Sequence, residues 1–243
     1  MISCEEALEI TRKFSAEITN TLTGKIRAIF AIGSLGGDYY RPGQSDIDTV
    51  VITSVSRNEI QQITSIVETI ADRYWREYQV PKGFGAIVFA EEQLHPPYIK
   101  SEELVQEIMR LKMQGKLIYG EYDINNIEFP DWQAIKNDIL NFQEWSDEQP
   151  YFEHSAQSFV NSTLMGLKRY LLLKHHIVEF NKFKVIGLYL ANNPPVINEE
   201  IFTFITNYIS GKPYIWNDEI RSNYTNWHDH LFVVINNLVL YNE

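Results

Sequence analysis

The chain has 243 residues, enough for one large domain or two small ones with a real core. Its net charge of −11 and the absence of Lys/Arg clusters beyond short pairs argue against a nucleic acid partner. No apolar run approaches the roughly 18 residues of a membrane span, the N-terminus lacks the pattern of a secretory signal, and the single cysteine, Cys4, excludes an internal disulfide framework or a multi-cysteine zinc site. A cytoplasmic protein is expected.

The first helix is expected over Ser3 to Leu22. Ser3 and Glu6 have capping-box spacing, and Ala7, Ile10, Phe14 and Ile18 share one face. Ile26 to Ile32 is short and apolar, as a buried strand is. A glycine-rich loop follows from Gly33 to Ser45, and β-branched Ile47 to Thr53 is the next strand. Ser56 and Glu59 form a second capping box ahead of the helical repeat Ile60, Ile63, Val67, Ile70 and Tyr74. A third strand is expected over Ala86 to Phe89 and a helix over about Ser101 to Gln114. Beyond Pro130 strand signals fade. Helical stretches are expected around Trp132–Trp145, Ser155–His175, Lys184–Ala191, Glu199–Ile209 and Asp218–Leu240. This predicts an α+β domain over 1–125 and an all-helical domain over 126–243, with the boundary between Glu121 and Trp132.

The chemistry concentrates between Ala31 and Ile52. Asp46 and Asp48, two residues apart at a strand entry, present their carboxylates to one face. Side by side they repel unless a cation sits between them, and Mg²⁺ uses one or two carboxylates together with phosphate oxygens. Gly33 lets a phosphate approach the backbone, and Ser34 can donate to it. Taken singly, Gly-Ser and Ser-Asp-x-Asp are ordinary loop punctuation. Together, in the order apolar strand, Gly33-Ser34, loop, Ser45-Asp46-x-Asp48, apolar strand, they describe a Mg²⁺-triphosphate site.

This pattern resembles the signature of the nucleotidyltransferase superfamily. Leu117-Ile-Tyr-Gly120 is similar to the segment that closes the catalytic domain in small antibiotic nucleotidyltransferases, and the helical half resembles streptomycin/spectinomycin-type aminoglycoside adenylyltransferases. Asn161 and Lys168 match an asparagine and a basic residue seven apart on one helix of that family. Asn181-Lys182 is nearest to its serine-lysine pair, and Asn193-Pro-Pro and Tyr208-Ile-Ser-Gly211 fit its later pattern. The resemblance implies a nucleotidyltransferase-type mixed sheet with flanking helices, followed by a helical domain that contributes to substrate and nucleotide. It implies Mg²⁺ held by Asp46 and Asp48, phosphate held by Gly33 and Ser34, a loop oriented by Ser45, and Lys182 on the nucleotide. The reaction would be transfer of a nucleoside monophosphate, AMP from ATP, to a hydroxyl of a small molecule such as an aminoglycoside. A nucleotide-binding pseudoenzyme and a protein-modifying nucleotidyltransferase are the alternatives.

One departure matters. The family carries a third carboxylate on the third strand, and here Phe84 to Ala90 contains no acid. Glu91 and Glu92, just beyond, read as solvated strand-end residues, and Glu77 lies farther upstream. The base then comes from elsewhere, or metal alone activates the hydroxyl, or catalysis has been lost. Other groupings have structural readings. His228 and His230, two apart on a helix, do not face each other and read as surface residues, while His175 and His176 suit a helix end. Tyr214, Trp216, Tyr224 and Trp227 read as core before they read as the walls of a cleft. The acidic run Glu144, Asp147, Glu148 and Glu153 reads as a solvated face, with a cradle for a polycation as its functional alternative.

Overall fold

The capping box at the N-terminus forms as its spacing requires. In the computed structural model, which describes residues 1–96, 98–101, 105–131, 133–134 and 155–241, helix α1 spans Cys4–Thr21. The Glu6 N–H donates to Ser3 Oγ at 3.1 Å and the Ser3 N–H donates to the Glu6 carboxylate at 2.7 Å, so two open donors of the first turn are satisfied reciprocally. Ala7, Ile10, Phe14 and Ile18 are buried along one stripe.

The remaining elements of the first unit are β1 (Ile26–Ile32), α2 (Gly33–Gly36), β2 (Ile47–Thr53), α3 (Ile60–Tyr78), β3 (Phe84–Ala90), α4 (Val105–Gln114) and β4 (Lys116–Gly120). They build a mixed four-stranded sheet of order β3-β2-β1-β4. The central β1 runs antiparallel to β2 and β4, and β2 runs parallel to β3. A parallel pair needs a long crossover, and α3 supplies it.

Period-two alternation sends successive strand residues to opposite faces. Ile29 and Ala31 of β1, Ile47 and Val51 of β2, and Phe84 and Val88 of β3 join the apolar stripes of α1 and α3 in one core. Ala28, Phe30, Ile32, Val50, Ile52 and Phe89 point the other way and pack with Ile108 and Leu111 of α4. Asp48 and Gly85 have the parity of this second face.

Four details differ from the sequence reading. The segment after β1 opens with a helical turn, α2, before it becomes a loop. Ser56 does not cap a helix: its hydroxyl donates to the Glu59 carboxylate at 2.7 Å, a 3-10 turn covers Arg57–Glu59, and α3 starts only at Ile60. The helix before Gly115 begins at Val105, preceded by a short turn at Tyr98–Ser101. Lys116–Gly120, read only as a motif, is the fourth strand. The helix expected over Trp132–Trp145 lies outside the described residues except for Gln133 and Ala134, which are helical.

The described chain separates into two compact units, Met1–Ile135 and Lys136–Glu243. In the second, helices α5 (Ala156–His175), α6 (Lys182–Ala191), α7 (Glu199–Ile209) and α8 (Asp218–Tyr241) follow one another. Side chains of Ser155, Asn181 and Asn198 cap the first three, each accepting first-turn N–H groups. α5 packs against both α6 and α8. Phe159, Leu167, Tyr189, Phe202, Trp227 and Leu231 lie among the residues of the core, and the buried Tyr189 hydroxyl is satisfied by donating to the Val196 carbonyl at 2.9 Å. The α+β architecture expected from the sequence is the one observed. No helix among the described residues is long and apolar enough to cross a membrane.

Candidate functional site

Antiparallel pairing of β1 with β2 places Ile32 opposite Asp48. Gly33 and Ser34 follow directly on one strand, and Asp46 stands just ahead of the other. The two halves of the motif therefore meet at the same end of two adjacent strands. The approach to Asp46 is closed by Ser45, whose hydroxyl accepts from the Arg41 N–H at 3.0 Å, while the Gln44 and Ser45 N–H groups donate to the Arg41 carbonyl.

Asp48 is held tightly. Across the parallel β2–β3 pair its partner is Gly85, and a Cβ at position 85 would stand 3.0 Å from Asp48 Oδ1. Gly33 has φ +62°, and a Cβ there would stand 2.6 Å from Arg110 Nη2 and 2.9 Å from Asp48 Oδ2. Only glycine gives both that backbone and that space without strain. Arg110, on α4, donates from Nη2 to Asp48 Oδ2 at 2.8 Å, and its Nη1 lies 3.9 Å from Glu107 Oε1. All three side chains are about a quarter exposed, 25% for Arg110 and 24% for Asp48. Burial works against the guanidinium charge, but the charge and hydrogen bond of Asp48, helped by Glu107, outweigh it and raise the Arg110 pKa.

Ser34 Oγ is buried and has no hydrogen-bond partner, and neither has the Tyr40 hydroxyl. Such a group is expensive to leave unmade, and a phosphate oxygen arriving beside Gly33 would satisfy Ser34. Burial raises the Tyr40 pKa, with further contributions from Cys4, Asp46 and Glu6, so Tyr40 stays a neutral phenol near Asp46.

No protein-family model matches this sequence, and no curated protein does. Solved structures do. The spectinomycin adenyltransferase AAD(9) from Enterococcus faecialis, solved with ATP and spectinomycin, superposes with a TM-score of 0.66 at 16% identity. The match covers 92% of this chain and 97% of that one. This chain has the nucleotidyltransferase fold. A toxin–antitoxin structure with AMP-PNP (14% identity, 56% of this chain and 90% of that one, TM-score 0.32) also matches. So does the tri-AMPylated Shewanella oneidensis HEPN toxin with its MNT antitoxin (12% identity, 58% and 91%, TM-score 0.30).

Within the nucleotidyltransferase fold the donor set suits a hard divalent cation. Two carboxylates stand two residues apart at the strand end that also carries Gly33 and the unpartnered Ser34 hydroxyl, and a bound Mg²⁺ would complete its shell from substrate and water. Among the described residues no group of three or more His, Cys, Asp or Glu is placed to hold a metal. The upstream and downstream acids do not fill the third place. Glu91 lies 3.8 Å from Arg27, Glu92 accepts from the Arg57 N–H at 2.5 Å, and Glu77 lies 3.8 Å from Arg73 on α3. Where β3 passes Asp48 it offers Gly85.

Lys182 is the exposed first residue of α6, behind its Asn181 cap, and belongs to the helical unit. Asn161 and Lys168 lie on α5, where Lys168 Nζ sits 5.4 Å over the Phe180 ring. His228 is not a surface residue: it packs on Phe159 and Phe232 and shares a 2.6 Å hydrogen bond with Ser162, while burial, only partly opposed by Asp229, lowers its pKa. Tyr224 and Trp227 are buried in the helical core, and Trp216 stacks on Phe204. The acidic run from Glu144 to Glu153 lies outside the described residues.

Sequence reasoning missed Arg110 and Gly85. Gly85 carried a signal, since a glycine inside a strand marks close approach. Arg110 carried a weaker one, flanked by the buried Met109 and Leu111.

Proposed function

We propose that this protein is a Mg²⁺-dependent nucleotidyltransferase that moves AMP from ATP to a hydroxyl of a small, cationic acceptor, with aminoglycosides the first class to test. The observation that carries the reading is the convergence of Gly33, Ser34, Asp46 and Asp48 at one end of β1 and β2. It is supported by a fold shared with an adenyltransferase solved with ATP and spectinomycin.

In this reading Asp46 and Asp48 hold the metal, Gly33 and Ser34 receive phosphate, and Ser45 keeps the loop before Asp46 closed. Lys182 is the residue that the family resemblance assigns to the nucleotide. Bound Mg²⁺ supplies charge neutralisation on the triphosphate. The acceptor hydroxyl oxygen attacks the α-phosphorus and gives up its proton to solvent, the bond to the β-phosphate breaks, and pyrophosphate leaves with the bonding pair. The enzyme's share is positioning and electrostatics, with no covalent intermediate. The net charge of −11 suits a cationic acceptor.

One observation favours a second reading. With Gly85 beside Asp48, β3 offers no carboxylate to take the acceptor's proton, and a chain that binds nucleotide without turning it over fits that gap. Purified protein, Mg²⁺ and labelled ATP incubated with a panel of aminoglycosides and simpler amino-alcohols separate the two. Release of pyrophosphate with adenylylated product is expected for transfer. Firm ATP binding with no product from any acceptor selects the binding-only reading.

A further inference from the structure

Arg110 occupies the place where the two halves of the site meet. Its Nη2 lies 2.8 Å from Asp48 Oδ2 and would lie 2.6 Å from a Cβ on Gly33. A phosphate reaching the Gly33 backbone therefore arrives at the same guanidinium that neutralises a metal-site carboxylate. This is not an ordinary helix-surface pair, since the side chain is three-quarters covered and bonds across the fold from α4 to β2. A carboxylate held at the strand end without a cation is costly to cover, and the guanidinium neutralises Asp48 while no metal is bound.

Resting on the proposed nucleotidyltransferase reading, we infer that Arg110 is a built-in counter-ion that neutralises Asp48 in the empty site and passes to the triphosphate when Mg²⁺ takes over the carboxylate. Metal and nucleotide then exchange partners with one side chain. Arg110 competes with free metal and helps bind nucleotide, so removing it moves the two affinities in opposite directions. A guanidinium suits both roles, because its fork matches carboxylate and phosphate alike. Glu107, 3.9 Å from Nη1, keeps the side chain anchored to α4 while Nη2 changes partner.

The test uses the whole chain with Mn²⁺ as the metal probe, its free concentration read by electron paramagnetic resonance, and ATP binding measured calorimetrically in EDTA. A hydrogen bond to a charged group is worth about 1.5–3 kcal/mol, so Arg110→Gln should bind Mn²⁺ alone at least about tenfold tighter and metal-free ATP at least about tenfold weaker. Arg110→Lys should restore part of the ATP affinity. A purely structural role would weaken both, and both moving together, or neither moving, in a variant with the wild-type circular dichroism spectrum overturns the inference. Should the Gln variant fail to fold, Asp48→Asn frees the same guanidinium, and metal-free ATP should then bind tighter than to the wild type. Unchanged or weaker binding overturns the inference. ATP binding that ignores Arg110 refutes this inference alone, whereas absence of any ATP binding by the wild type refutes the functional reading and the inference with it.

Discussion

The two faces of the sheet are made from the same strands and serve different ends. Toward α1 and α3, β1 and β2 present Ile29, Ala31, Ile47 and Val51, and Phe14 fills the centre against Tyr74 and Phe84 with ring centroids 5.6 and 4.8 Å away. Toward α4, Phe30, Ile32, Val50 and Ile52 are equally apolar, but the row ends in Asp48, flanked by two glycines and capped by Arg110. One face is uniform packing, while the other gives up packing at one end to hold a charge pair. A largely buried ion pair contributes little net stability against a well-packed apolar alternative, so stability alone does not account for its presence there.

The contrast can be broken by substitution. The largest effect is expected from Asp46→Asn with Asp48→Asn, which should abolish the Mg²⁺ dependence of ATP binding in calorimetry while leaving the far-UV circular dichroism spectrum in place; ATP binding that still tightens on adding Mg²⁺ sinks the site. Next, Phe14→Ala should lower unfolding stability by about 3–5 kcal/mol, measured in urea, with the nucleotide affinity of the folded protein unchanged. A loss of affinity there would mean the faces are not independent. Gly33→Ala sits where the two properties meet. Its left-handed backbone alone should cost about 1–2 kcal/mol, and the added methyl should displace Arg110, so a fall in melting temperature should come with weakened ATP binding. Smallest is Ser3→Ala at the α1 cap, expected to lower stability by about 1 kcal/mol with no change in binding.

Much of this contrast was legible in the chain itself. Strands Ile26–Ile32 and Ile47–Thr53 end where their apolar, β-branched runs end, because strand periodicity is local. What was not legible depends on distant partners. β4 is mostly exposed, with no alternation to reveal it, and it is a strand only because β1 pairs with it. Arg110 looked like one more helix cation until the fold laid α4 over Gly33. Ser56 and Glu59 have the spacing of a capping box, but a tighter turn intervened and the two side chains bonded each other.

The late position of β4 has a consequence for how the protein is made. One of the two interior strands, β1, is hydrogen-bonded to β2 soon after it in the chain, but its other edge pairs Ala28 with Gly120. During synthesis one side of an apolar strand must wait for the rest of the sheet-forming segment to emerge, and open strand edges are templates for pairing with other chains. Pairings so far apart in sequence also form slowly. The first unit is therefore most prone to self-association in the interval before residue 120 leaves the ribosome. A ribosome pause just upstream of Lys116 would lengthen that interval, and a chaperone that shields β1 would shorten its effect.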